Sequence, residues 1–129
     1  MKKYYLISIL LALFISCDDI PNSALMGKWQ LKTIERNGVE SPVDTVWYNF
    51  QSESVFAIQI YAPQQDMVYM NKGVRVQVDN DISIELESEA YLYLTDWDSA
   101  NRSFTIEKVN RKNLVLLSKE GHRYSFIKF

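Results

Sequence analysis

The chain has 129 residues, with 14 basic and 16 acidic side chains, one histidine and one cysteine. Residues 17–129 alone carry 12 basic against 16 acidic side chains, and that acidic balance argues against a nucleic-acid partner, which would favour a basic face. A lone cysteine excludes an intramolecular disulfide, a single histidine excludes a zinc site of the usual nitrogen and sulfur kind, and four ungrouped glycines exclude a phosphate-cradling loop.

Lys2 and Lys3 open the chain, and Tyr4–Ile15 follows with only Ser8 polar among twelve residues. That is the length of a secretion-signal core and falls short of the roughly 20 residues that span a bilayer. Leu13-Phe14-Ile15-Ser16-Cys17 resembles the lipobox cut by the lipoprotein signal peptidase, although Phe14 stands where leucine is usual. The resemblance implies a cleaved signal helix over residues 1–16. It further implies that Cys17 becomes the first mature residue, carrying a covalent diacylglyceryl and N-acyl lipid of the palmitate type. The implied location is the cell envelope, anchored to the outer membrane. Acylation also accounts for an unpaired cysteine in an exported protein.

Asp18-Asp19-Ile20-Pro21-Asn22-Ser23 is short and polar with a proline, so residues 17–24 read as the acylated cysteine and its tether. The acidic pair resembles the signals that send lipoproteins of the Bacteroides group to the cell surface, and a plain solvated linker is the other reading.

Residues 25–129 form one domain with one core, given their length. No long stretch has helical periodicity, and alternating or β-branched runs recur between turn signals. Strands are predicted at Gly27–Arg36, Thr45–Gln51, Ser54–Ala62, Asp66–Val78, Ile82–Glu87, Tyr91–Thr95, Ser103–Val109, Leu114–Ser118 and Arg123–Phe129. Val74, Val76 and Val78 alternate with Arg75, Gln77 and Asp79, and Ile82, Ile84 and Leu86 with Ser83, Glu85 and Glu87, which predicts a hairpin about Asp79-Asn80-Asp81 with the apolar side inward. Asn37-Gly38, Pro63, Asp98–Asn101, Asn110–Asn113 and Glu120-Gly121 punctuate the rest. Many short strands with tight turns predict an all-β barrel or sandwich.

Gly27-Lys28-Trp29 resembles the Gly-x-Trp signature that opens the lipocalin barrel, and Thr95-Asp96-Trp97 resembles the lipocalin Thr-Asp-Tyr element. The closing runs Phe104–Val109, Leu114–Leu117 and Tyr124–Phe129 resemble the last hairpins of small lipocalin-like lipoproteins of the Bacteroides group. The resemblance implies a small up-and-down antiparallel β-barrel of about eight to nine strands. It also implies that Trp29 closes one end beneath a basic side chain, for which Arg123 is the expected partner through a cation–π contact.

Catalysis is not expected. His122 lies in a predicted turn, and Glu85, Glu87 and Glu89 read as a solvated strand face. Asp96-Trp97-Asp98-Ser99-Ala100-Asn101 begins like a calcium loop but has Ala100 where an oxygen ligand belongs and no closing glutamate. A spanning barrel is disfavoured by Arg123 and Ser125 in the final strand, despite the terminal Phe129. No metal and no cofactor beyond the lipid on Cys17 is expected.

Two functions fit. The first is a membrane-tethered barrel binding a small apolar or amphipathic ligand, lined by Tyr48, Phe56, Ile58, Val76, Ile84, Phe104 and Tyr124 behind Trp29. The second is a filled barrel that recognises a surface protein or glycan through Trp47, Tyr61, Tyr69, Tyr91 and Tyr93.

Overall fold

The computed structural model describes residues 20–129; the signal segment, Cys17 and the acidic pair lie outside the described residues. A 3-10 turn at Asn22–Leu25 leads into β1 (Gly27–Arg36), β2 (Val39–Pro42), β3 (Val46–Phe50), β4 (Val55–Ala62) and β5 (Met67–Val78). After β6 (Asp81–Leu86), a second 3-10 turn at Leu92–Leu94 precedes β7 (Asn101–Val109), β8 (Asn113–Ser118) and β9 (Arg123–Lys128).

All neighbours pair antiparallel, and β9 returns to β1, so eight strands close into an all-β barrel with β2 as an extra strand. Closure satisfies backbone groups that an open sheet would leave bare. Its core is apolar and continuous, with Leu25, Tyr48, Phe50, Phe56, Ile58 and Tyr124 fully buried within it. The N-terminal segment and the β3–β4, β5–β6 and β7–β8 turns lie at one end. The β1–β2, β4–β5, β6–β7 and β8–β9 connections lie at the other, here called the mouth.

Strand β1 divides its pairing. Gly27–Gln30 pairs with Trp47–Phe50 of β3, whereas Thr33–Arg36 pairs with Pro42–Val39 of β2 across Asn37-Gly38, both of whose φ angles are positive. Those angles (55° and 79°) suit a two-residue hairpin turn. The turn was legible in sequence, but β2 was not, because Val-Glu-Ser-Pro is exposed at every position and has no apolar face to betray it.

Two other expectations are corrected. The predicted strand Tyr91–Thr95 is a 3-10 turn entered through a left-handed Tyr91 (φ 66°), within a long connection between β6 and β7. Only Leu92 of that turn is buried, so no alternating face holds it in a sheet.

The second correction concerns β5, whose phase is the reverse of the one predicted. Val74, Val76 and Val78 face outward, with Val76 58% exposed, while Asn71, Gly73 and Arg75 face inward. The inward polar groups fasten segments that cross the two ends of the barrel. Asn71 Nδ2 donates to the carbonyls of Ser88 (2.9 Å) and Ala90 (3.1 Å) near the mouth. At the closed end Arg75 Nε donates to Ser52 O (2.9 Å) and Gln77 Nε2 to Ile20 O (2.7 Å). Buried backbone carbonyls need such donors, and a valine could supply none. The β6 half of the hairpin keeps its predicted phase, with Ile82, Ile84 and Leu86 buried.

Candidate functional site

The closed end is built on Trp29. Its indole Nε1 donates to Leu25 O at 2.9 Å, which ties the 3-10 turn to β1. The cation over its ring is Lys128, with Nζ 4.3 Å from the centroid, rather than the expected Arg123. Strand register decides this, since Trp29 faces Lys128 across the β1–β9 seam and Arg123 faces Glu35, six residues further along β1. Arg123 instead makes ion pairs with Glu35 and Glu107, each at 2.9 Å, on a half-exposed stretch of wall. Lys128 also donates to Met26 O, and burial lowers its pKa.

At the mouth the β6–β7 connection turns back into the barrel. Trp97 is buried, stacked near Phe56 (centroids 6.2 Å apart, planes at 17°) and edge-on to Tyr48 (6.0 Å). Phe104 flanks it at 6.4 Å. Its Nε1 donates to the Tyr48 hydroxyl at 2.8 Å. Burial pushes the pKa of Tyr48 well above the ordinary tyrosine value, with the charge of Asp96 adding to the shift, so the hydroxyl stays neutral and accepts the bond.

Asp96 completes the arrangement on the polar side. Its carboxylate lies 3.1 Å from Arg102 and 3.6 Å from Arg36, and it accepts a hydrogen bond from the Tyr124 hydroxyl. Arg102 also donates to Tyr124 and to Asp96 O, and its guanidinium sits 5.0–5.7 Å from the centroids of Tyr124, Phe104 and Trp97. Burial works against the charge of Arg102 most strongly, but Tyr48, Asp96 and Tyr124 together outweigh it and hold its pKa up. Burial likewise raises Tyr124 above its ordinary value. The site is therefore an aromatic chamber with a charged, hydrogen-bonded rim.

Because β1 leaves β3 after Gln30, the wall parts beside this rim. A cleft of about 260 Å³ opens there, lined chiefly by Leu31, Ile34, Val43, Val46 and Leu94, with Arg36 and Asp96 at its polar end.

Of the residues expected to line a ligand space, Tyr48, Phe56, Phe104 and Tyr124 come together around Trp97 and Arg102. Ile58 and Ile84 are buried elsewhere in the same core, and Val76 is on the outer wall. Asp96, Trp97 and Arg102 were not picked out from sequence as site residues. For Asp96 and Trp97 the signal in the sequence was the resemblance of Thr95-Asp96-Trp97 to the lipocalin Thr-Asp-Tyr element, whereas Arg102 stands at the start of β7 with no such mark.

The aromatics assigned to an outer contact face are dispersed. Trp47 packs against Phe129 near the closed end (6.0 Å, edge-on) beneath Lys28. Tyr69 and Tyr91 stack at 4.0 Å at the mouth, Tyr61 donates to Asp66, and Tyr93 is 76% exposed.

A family model described as a lipocalin-like domain matches residues 11–129. The chain belongs to the lipocalin-like family. This lipocalin-like chain is similar to a lipocalin-like protein from Bacteroides uniformis, with a TM-score of 0.72 and 28% identity over 82% of this chain and 99% of that one. It is also similar to an uncharacterized protein from Bacteroides eggerthii, with a TM-score of 0.70 and 26% identity over 81% and 99% of the two chains. No curated protein matches it. The lipocalin-like barrel suggests small-ligand binding.

Proposed function

We propose that this protein is a lipid-anchored envelope lipoprotein whose barrel binds a small apolar or amphipathic ligand at its mouth. The observation that carries the reading is that one ring at the centre of the aromatic chamber, Trp97, is supplied by a connection, whereas Tyr48, Phe56, Phe104 and Tyr124 around it come from the wall. Trp97 comes from the irregular stretch between β6 and β7, and connections of that length without regular strands are uncommon in compact domains unless they serve a purpose. A binding site closed by a movable segment has this construction.

The tether supports the same reading. Ile20 N donates to Asn80 Oδ1, and Ile20 O accepts from Gln77, so the chain leaves the domain at the closed end. Cys17 is three residues away, a reach of roughly 10 Å. An acylated Cys17 would hold the closed end toward the membrane and the mouth toward the aqueous side, where a diffusing ligand arrives.

A second reading, recognition of a surface protein or glycan by a filled barrel, is favoured by the row of exposed Val68, Met70, Val74, Val76 and Val78 along β5. Native mass spectrometry of the mature protein separates the two. A retained small molecule, or a saturable change in tryptophan emission with amphiphiles, is expected. A ligand-free barrel with unresponsive emission would leave the recognition reading. Cys17→Ser should remove the lipid mass and release the protein from the membrane fraction; an unchanged lipid-bearing mass would overturn the anchor.

A further inference from the structure

Asp96 and Trp97 are consecutive, and between them they present a carboxylate and a flat ring bearing an N–H donor to opposite halves of one site. The carboxylate meets Arg102, Arg36 and the Tyr124 hydroxyl. The ring lies among Phe56, Tyr48 and Phe104, and its N–H is satisfied by the Tyr48 hydroxyl at 2.8 Å. Each half is matched to its occupant. Guanidinium groups recognise carboxylates through charge-assisted hydrogen bonds, and rings accept another ring in stacked and edge-on contacts. Tyr48, kept neutral by burial, offers an acceptor deep in an otherwise apolar chamber.

We propose that the Asp96–Trp97 pair is a built-in occupant of the mouth, and that the ligand it stands in for is a small planar aromatic carboxylic acid with a ring N–H, of the indole-acid kind. This rests on the ligand-binding reading above and specifies its chemistry. The acid takes the place of Asp96 between Arg102 and Tyr124, and its ring takes the place of the indole.

Three features make the exchange feasible. Two arginines face the Asp96 carboxylate, so a second cationic donor stands beside the pair that Asp96 makes with Arg102. Arg36 is held only at 3.6 Å with 41% of its side chain exposed, at the polar end of the cleft beside β1. That cleft gives an incoming acid a route to the rim from outside the barrel. The connection enters its 3-10 turn through Tyr91, a non-glycine residue in the left-handed region, a conformation whose cost the seated loop must carry.

The test uses the purified mature lipoprotein in detergent, with indole-3-acetate, indole and palmitate as probes, read by calorimetry and by the Trp97 indole N–H resonance. Indole-3-acetate should bind more tightly than indole and shift that resonance. Asp96→Asn, which keeps the side chain's shape and removes the competing charge, should strengthen indole-3-acetate binding about tenfold and leave indole little changed. Trp97→Ala should strengthen both, and Arg102→Gln should remove the preference for the acid. Circular dichroism confirms that each variant is folded, and Asp96→Asn carries the test should Trp97→Ala not fold. Equal binding of the acid and indole, or no gain in folded Asp96→Asn, overturns the proposal. If palmitate binds while indole-3-acetate does not, the aromatic-acid assignment fails and the ligand-binding reading stands. If no probe binds any folded variant and no molecule is retained natively, both fail.

Discussion

The indole N–H of Trp97 donates to the hydroxyl of Tyr48 at 2.8 Å, linking the connection that crosses the mouth to β3 in the wall. Both residues are buried, so neither group has water to fall back on. Tyr48→Phe keeps the ring and orphans the N–H, which should cost about 1–3 kcal/mol of stability. A lower midpoint of urea unfolding at unchanged slope would show this. An unchanged midpoint would mean that the indole finds another acceptor.

The two ends of β9 should respond differently to loss of their cations. Lys128→Ala removes the charge above Trp29 and should cost about 0.5–1 kcal/mol at such a partly exposed site. Trp29→Ala removes the buried ring itself and should cost about 3–5 kcal/mol. Arg123→Ala should have a small effect that fades in high salt, because its pairs with Glu35 and Glu107 are solvated. Thermal unfolding at low and high ionic strength distinguishes the three.

Gly73 faces the interior where β5 and β6 approach closely. A Cβ there would stand 2.1 Å from Glu85 O and 2.7 Å from Leu86 Cα, both backbone atoms that yield only if the strands separate. Gly73→Ala should therefore destabilise by about 1–3 kcal/mol or more. Hydrogen exchange should quicken first along the β5–β6 ladder.

Alkaline pH should weaken the fold through Tyr48 and Tyr124, whose folded-state pKa values burial raises above 10.0. Below the ordinary tyrosine value both are protonated in folded and unfolded chains alike, and their contribution is fully present. Above it the unfolded chain loses these protons while the folded chain keeps them, so stability falls as pH rises. Denaturant midpoints measured from about pH 8 to about pH 11 should decline, and Tyr48→Phe should flatten the decline.

How far the sequence could be read depended on what set each residue's direction. Ile82, Ile84 and Leu86 obey the simple rule that alternating apolar residues face the core, and the turns at Asn37-Gly38 and Asn80 mark strand ends by their own chemistry. The chamber residues Tyr48, Phe56, Phe104 and Tyr124 were legible on the same basis. Val76 was misplaced because β5 is phased by distant demands, the carbonyls of Ser52, Ile20 and Ser88, which no local pattern encodes. Arg123 is expected above Trp29 and Lys128 is found there because a bulge between Leu31 and Thr33 and the exact seam register set the pairing, and neither is visible before the strands are aligned. Trp97 lies in a connection, where position comes from tertiary contacts and periodicity says nothing.

The seam between β1 and β9 bears on how the molecule forms. Trp29 and Lys128 are partners across nearly the whole described chain, so the closing step joins the first strand to the last. Bringing such distant segments together carries a large loop-closure entropy and slows folding relative to local hairpins. The hairpins from β3 to β9 can assemble as the polypeptide emerges, but the cylinder shuts only when β9 is present. Until then Trp29 has no Lys128 above it and the core has an open side. A polypeptide that lacks its final strand is therefore not a smaller barrel but an open sheet with an uncovered core.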